Sequence, residues 1–174
     1  MILKSAFYQF AIFNKKSNII HMKDQEIFDH LFKLASYSED KKGIVSACLV
    51  RNGEIIAEGF SNNEGWHAEY AAIKDAEAKN ITISNEDIMY TTIIPCAKRT
   101  PGGPGEKYGD CVTNIINAGI KHVVYGTDNA KSGSGVEKRF EEAGVMLTKT
   151  AEENITEESR KIFNESCVDP NDRI

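Results

Sequence analysis

The 174-residue chain has no uninterrupted hydrophobic run approaching the ~18 residues that a membrane-spanning helix requires. The apolar stretch Ser5 to Phe13 is too short, lies between Lys4 and Lys15-Lys16, and is followed by no small-residue cleavage site. It reads as a strand or packed arm and not as a signal peptide. The chain also lacks an excess of positive charge: 21 Lys and Arg stand against 26 Asp and Glu, a formal net charge of -5. That balance argues against a dominant phosphate-backbone partner such as long DNA. It leaves room for a local basic patch around a small phosphorylated ligand. Four cysteines are too few, in a chain this long and this apolar, to imply a disulfide scaffold. They fit a reduced, cytoplasmic setting better. Repeats, linkers and low-complexity segments are missing too. One domain over residues 1–174 is expected, with an N-terminal arm at 1–22, a core at about 23–150 and a C-terminal helix at about 152–166.

What is present alternates between two periods. Lys23 to Ser38 carries Ile27, Leu31, Leu34 and Ala35 at helical spacing, with Phe28 and Phe32 widening the face. Ile44 to Val50 and Glu54 to Phe60 read as strands of a hairpin turned by Asn52-Gly53, a pair that tolerates positive φ. His67 to Lys79 is rich in Ala, Glu and Lys and predicts a helix. Asp87 to Ile94 reads as a third strand. Ala97 to Asp110, with four glycines and two prolines, is expected to be an irregular loop. Helices follow at Cys111 to Ala118 and Gly135 to Ala143, and strands at Lys121 to Gly126 and Val145 to Thr150. Lys131 to Ser134 reads as a flexible lead-in. His122 is expected to face solvent, and Thr150 or Thr156 to cap the last helix. The order predicts an α/β fold, a mixed five-stranded sheet with helices on both faces. The helix between strands four and five makes those two parallel, because an antiparallel pair needs only a tight turn.

One group of residues points to chemistry. His67 and Cys111 each open a helix, and Cys96 follows a strand end at Pro95. Cysteine near a helix start is favoured as thiolate by the dipole and the free N–H groups. One imidazole and two thiolates make a three-ligand zinc site with an open fourth position, where the metal lowers the pKa of water. Glu69 beside His67 is the candidate proton carrier, acting as base and then as acid, and enclosure in a dry pocket should raise its pKa. A closed structural site with Cys48 or Cys167 as fourth ligand is the competing arrangement. Glu69 would be superfluous there. Cys48, in the apolar run Ile44 to Val50, is instead expected to be a buried small hydrophobe, and Cys167, after a helical stretch, to be structural or incidental.

His67-Ala68-Glu69 with Pro95-Cys96 and Cys111 is similar to the H-x-E…P-C-x-x-C signature of zinc nucleobase deaminases. It departs in having 14 residues, Ala97 through Asp110, between the cysteines in place of two. Over about Ile44 to Thr150 the chain resembles the cytidine/deoxycytidylate deaminase superfamily. That resemblance implies the three-layer fold, one zinc ion per chain on His67, Cys96 and Cys111, and Glu69 as proton shuttle. The parallel fifth strand is similar to the branch with dCMP, tRNA adenosine, guanine and riboflavin-pathway pyrimidine deaminases. Cys111-Val112-Thr113 through Val123-Val124-Tyr125-Gly126 resembles the tRNA enzymes in spacing. Gly59 to Glu69 and Gly133 to Val145 resemble the riboflavin-pathway enzyme, and Thr100-Pro101 corresponds to a Thr-Pro in its cysteine gap. Related enzymes are dimers or tetramers, which implies a homo-oligomer.

The expected substrate contacts are Asn62 and Asn63, whose amides can read a pyrimidine edge, Trp66 as a stacking face, and Ala68 between the two catalytic positions. Lys98, Arg99 and Lys107 are candidates for a phosphate, and Tyr108 for covering the base. The expected function is zinc-dependent hydrolytic deamination of a small nucleobase, nucleoside or nucleotide, with a cytosine-type pyrimidine as the leading substrate class. The alternatives are the riboflavin-pathway pyrimidine reaction, an RNA or DNA editing deaminase, and a zinc-stabilised binding module without catalysis.

Overall fold

The structure, a computed structural model, describes residues 23–132 and 135–174. The expected N-terminal arm and residues 133–134 of the glycine–serine lead-in lie outside the described residues. Among the described residues, five α-helices and five strands follow in the order read from the sequence: α1 (Asp24–Ala35), β1 (Ser46–Arg51), β2 (Glu54–Phe60), α2 (Ala68–Ala78), β3 (Ile88–Ile93), α3 (Cys111–Asn117), β4 (His122–Thr127), α4 (Val136–Glu142), β5 (Met146–Lys149) and α5 (Glu153–Ser166). At the hairpin turn both Asn52 (φ 52°) and Gly53 (φ 78°) take positive φ, as a type I′ connection demands.

The sheet order is β2-β1-β3-β4-β5. β1 runs antiparallel to β2 and β3, while β3, β4 and β5 are mutually parallel. Alternation along each strand divides the core in two. Ala47, Leu49, Met89 and Val123 face one apolar cluster with α2, α3 and α4. Cys48, Val50, Tyr90 and Val124 face the other with α1 and Ile155 of α5. Coverage on both faces explains why the central strands read as continuous apolar runs. α2 lies close on the sheet because its inward face is alanine, at Ala68, Ala72 and Ala76, all fully buried. A Cβ at Gly59 of β2 would come within 2.7 Å of the Ala71 backbone carbon. The carboxyl end of β3 and the start of β1 lie at the same end of the sheet. The order reverses there, which is where ligands bind in open α/β sheets.

Several expectations change. The 97–110 loop contains a short 3-10 turn, Glu106–Tyr108. α5 is capped by neither threonine: its N-cap is Glu152, the Thr150 hydroxyl accepts from the Glu152 N–H at 3.2 Å, and the Thr156 hydroxyl donates to the Gly126 carbonyl at 2.9 Å. His122 is half-buried, its Nε2 3.1 Å from Thr148 Oγ1. Cys48 is a buried thiol, as expected, and Cys167 is buried as well. Cys48 packs in the α1 cluster, on the face of the sheet away from α2 and α3. No helix among the described residues is long and apolar enough to cross a membrane.

Candidate metal centre and catalytic cleft

Three segments converge at the β3 end of the sheet. Asn62 shapes the first: its Oδ1 accepts from the N–H groups of Glu64 (3.0 Å) and Trp66 (3.1 Å), and its own N–H donates to the Trp66 carbonyl (3.1 Å). The loop so formed delivers His67 as the N-cap of α2, in extended backbone. β3 delivers Cys96 through Pro95. Asp110 caps α3 by accepting from the Thr113 N–H at 2.9 Å, which sets Cys111 at the helix start, and the Cys111 N–H donates to Cys96 Sγ at 3.5 Å.

The donors form a near-equilateral triangle. His67 Nδ1 lies 3.3 Å from Cys111 Sγ and 3.4 Å from Cys96 Sγ, and the two sulfurs are 3.4 Å apart. Zinc ligands at ~2.0–2.3 Å in tetrahedral geometry stand about 3.5–3.8 Å from one another. The soft thiolate and imidazole set therefore fits one zinc ion, and these three are the residues that cluster as metal donors among the described residues. Neither buried Cys48 nor Cys167 joins them. Glu69 is 2% exposed and receives the Cys111 thiol at 3.3 Å on Oε2. Burial pushes the Glu69 carboxyl above its ordinary value, against the opposing pull of His67. Of the two thiols, Cys96 is drawn down by the hydrogen bond from Cys111 and by His67, while burial pushes Cys111 up.

A cleft of about 340 Å³ opens over the triangle. His67, Glu69, Cys96, Asn62, Asn63, Lys98 and Arg99 line it, so seven of the sequence-derived site residues are brought together. Cys111, Ala68, Trp66 and Tyr108 do not line it. Cys111 and Ala68 are fully buried behind the wall. Trp66 packs edge-on against Tyr70 (5.3 Å between ring centres) and Tyr108 (5.9 Å), so the expected stacking and covering rings hold each other instead. Lys107 leaves the cleft as well, its ammonium 4.9 Å over the Tyr108 ring. The asparagines are half spent: Asn62 Oδ1 holds its own loop, and Asn63 Nδ2 donates to the Glu39 carbonyl at 3.0 Å.

The long loop is docked. Arg99 Nε donates to the Gly109 carbonyl (2.6 Å) and Nη1 to the Gly65 carbonyl (3.3 Å), and Nη2 is buried without a partner among the described residues. Gly65, at φ +90°, and Gly105 touch backbone to backbone, and a Cβ on Gly105 would sit 2.6 Å from the Gly65 carbonyl oxygen. Lys42, Lys131, Phe163 and Asp172 also line the cleft, and sequence reasoning missed all four. The Ile44 N–H donates to Ser166 Oγ (2.7 Å) and the Val168 N–H to the Lys41 carbonyl (3.0 Å), lacing the C-terminal segment to the 41–44 segment. Lys131 donates to the Asn171 carbonyl and stands 3.8 Å from Asp172. The local pattern of these residues carries no sign of the cleft.

Comparison with known proteins agrees with this geometry. Residues 21–127 match the cytidine and deoxycytidylate deaminase zinc-binding region. A diaminohydroxyphosphoribosylamino-pyrimidine deaminase of Schizosaccharomyces pombe is 36% identical over 91 residues, 51% of this chain and 21% of that relative. A tRNA-specific adenosine deaminase of Streptococcus pyogenes serotype M1 is 32% identical over 128 residues, 69% of this chain and 67% of its own. Among solved structures, a Thermotoga maritima diaminohydroxyphosphoribosylaminopyrimidine deaminase/reductase superposes with a TM-score of 0.64 at 31% identity, over 78% of this chain and 38% of that one. The chain spans under a third of the length of the first curated relatives it matches. With the donor triangle, the buried carboxylate, the parallel β4–β5 pair and these likenesses together, the chain belongs to the cytidine and deoxycytidylate deaminase family.

Proposed function

We propose that the protein is a hydrolytic deaminase that exchanges the exocyclic amine of a small aminopyrimidine nucleoside or nucleotide, of cytosine type, for oxygen and releases ammonia. The observation that carries this reading is Glu69: a carboxyl group buried at 2% exposure, directly beside three donors that close around one metal-sized point. Zinc on His67, Cys96 and Cys111 would supply Lewis acidity and a water acidic enough to act as nucleophile near neutral pH.

The rest falls to the chain's own groups. Addition of water to the amine-bearing carbon and loss of ammonia requires one proton at the ring nitrogen and another at the departing amine. Glu69 takes one proton from the attacking water and delivers it to the ring nitrogen, then takes the second from the hydroxyl of the adduct and delivers it to the departing amine as the C–N bond breaks. Its raised affinity for protons suits an acid that must reload. Burial also keeps bulk water from short-circuiting the transfer. Asn62 Nδ2 and Asn63 Oδ1, which the loop's own hydrogen bonds leave uncommitted, offer one donor and one acceptor to a pyrimidine edge. Lys42 and Lys98 around the cleft suit a phosphate, while Arg99 is engaged by Gly109 and Gly65 and Lys131 by Asn171 and Asp172. The volume, about 340 Å³, suits a monomeric ligand.

A second reading, deamination of a phosphoribosylaminopyrimidine, is favoured by the Schizosaccharomyces pombe and Thermotoga maritima relatives. The net charge of -5 weighs against a polynucleotide substrate. A homodimer or tetramer in the cytoplasm is the expected form. Ammonia release should be measured with cytosine, cytidine and dCMP, with the phosphoribosylaminopyrimidine, and with adenosine-containing RNA. Turnover of cytosine, cytidine or dCMP, lost by about 10²–10⁴-fold in Glu69→Gln with zinc retained, supports the proposal, and turnover of the phosphoribosylaminopyrimidine alone replaces it with the second reading. Turnover of RNA alone, or an active Glu69→Gln enzyme, refutes it.

A further inference from the structure

Two cysteines separated by two residues owe their spacing to the turn between them. Here 14 residues intervene, and a glycine-rich loop of that length does not by itself hold its ends together. The sulfurs nonetheless lie 3.4 Å apart. Two clamps come from the loop's own neighbourhood: the Val112 N–H donates to the Cys96 carbonyl at 3.1 Å, and Arg99 Nε to the Gly109 carbonyl at 2.6 Å. The third comes from α4. Arg139 Nη1 donates to the carbonyl of Ala97 (2.9 Å), the residue after Cys96, and to Oδ1 of Asp110 (3.0 Å), the residue before Cys111. Its Nη2 donates to Thr113 Oγ1 (2.6 Å), whose hydroxyl in turn donates to Asp110 Oδ2 (2.8 Å). One guanidinium therefore bridges both stems of the loop, and through Asp110 it also braces the cap of the helix that presents Cys111. Three acceptors shared between two terminal nitrogens suit the planar guanidinium fork, whereas a lysine ammonium is a single point on a flexible stem.

We propose that Arg139 is a positioning residue of the zinc site, holding the Cys96 and Cys111 sulfurs at coordinating distance across the inserted loop. This rests on the zinc reading above. Groups that orient metal ligands typically change metal affinity by 10–100-fold when lost.

The test is zinc affinity by chelator competition, with the absorption spectrum of the cobalt-substituted protein as a reporter of thiolate geometry. It compares full-length wild type, Arg139→Met, Arg139→Lys and Lys138→Met. Lys138 is exposed on the same helix, with Glu142 at 3.8 Å as its ion-pair partner. Wild type should bind one zinc per chain. Arg139→Met should bind it about 10–100-fold more weakly, with a shifted cobalt–thiolate band. Arg139→Lys should fall between, and Lys138→Met should match wild type. If Arg139→Met does not fold, Arg139→Lys, which keeps the charge, decides the matter. Folded arginine variants with wild-type affinity and spectrum overturn this inference alone. A wild-type protein that binds no zinc overturns the metal reading and this inference together.

Discussion

Substituting Gly65 by alanine tests whether the 97–110 loop is packed onto the histidine-bearing loop. Gly65 has φ +90°, and a Cβ there would stand 2.6 Å from the Gly105 Cα and 2.7 Å from the Pro104 carbonyl carbon. Gly119, at the end of α3, has φ +82° with nothing within 4 Å of where an alanine methyl would sit, so it bears nearly the same backbone penalty without the contact. Left-handed backbone costs an alanine about 1–2 kcal/mol. Restriction of the unfolded chain returns ~0.4–1 kcal/mol. Gly119→Ala should therefore cost no more than about 1.5 kcal/mol by these two effects. Gly65→Ala carries the same cost plus the overpacking of backbone against backbone, typically ~1–3 kcal/mol. At ~2–4 °C per kcal/mol for a chain of this size, Gly65→Ala should melt roughly 2–12 °C below Gly119→Ala. The alternative relief is for the loop to lift by roughly 1 Å or more, out of reach of the Arg99 bond to the Gly65 carbonyl. Trypsin should then cut faster at Lys98, Arg99 and Lys107 in Gly65→Ala than in Gly119→Ala. Equal melting temperatures together with equal tryptic rates would refute the docking.

Two further substitutions probe the frame that carries the site. Asp87 is fully buried and accepts Arg51 Nε (2.6 Å) and Nη2 (2.8 Å) and the Ser84 N–H (2.7 Å). Burial alone would raise its carboxyl, but Arg51 and Ser84 outweigh burial and hold it below its ordinary value. A depressed carboxyl contributes stability above its unfolded pKa of about 3.9 and loses it as pH falls through the lower folded value. Asp87→Asn should destabilise at pH 7, by less than the roughly 3–5 kcal/mol of a fully enclosed pair because Arg51 keeps contact with water. Its urea midpoint should also fall less steeply than wild type below pH 4. A wild-type midpoint at pH 7 would contradict the pairing. Phe140→Ala empties a fully buried site beneath α4 and should cost about 3–5 kcal/mol in denaturant titration. A cost under 1 kcal/mol would mean that α4 is not anchored there.

Local features were readable because their causes are local. The type I′ turn at Asn52-Gly53 follows from two residues that accept positive φ. The helix α2 follows from its Ala, Glu and Lys content, and the parallel β5 from the helix in its connection. His67, Cys96, Cys111 and Glu69 stood out because few side chains combine metal lone pairs with a proton carrier, whatever the fold around them. Local reading reaches its limit where a side chain has two possible partners. Trp66 and Tyr108 had the right chemistry to stack on a base, but Tyr70, in the first turn of α2, packs against both rings. Asn62 had an amide to offer, and its loop consumed half of it.

The sequence by itself determined the order of helices and strands and the inventory of reactive groups, since periodicity and donor chemistry belong to short windows of residues. The tertiary structure alone decided which of those groups meet. It set the sulfur separation across a 14-residue insertion, and it recruited Arg139 to the stems and Phe163 and Asp172 to the cleft. The bond from Ile44 to Ser166 joins positions 122 residues apart. Such distances are set by how whole elements pack and close loops, and no local pattern of residues encodes them.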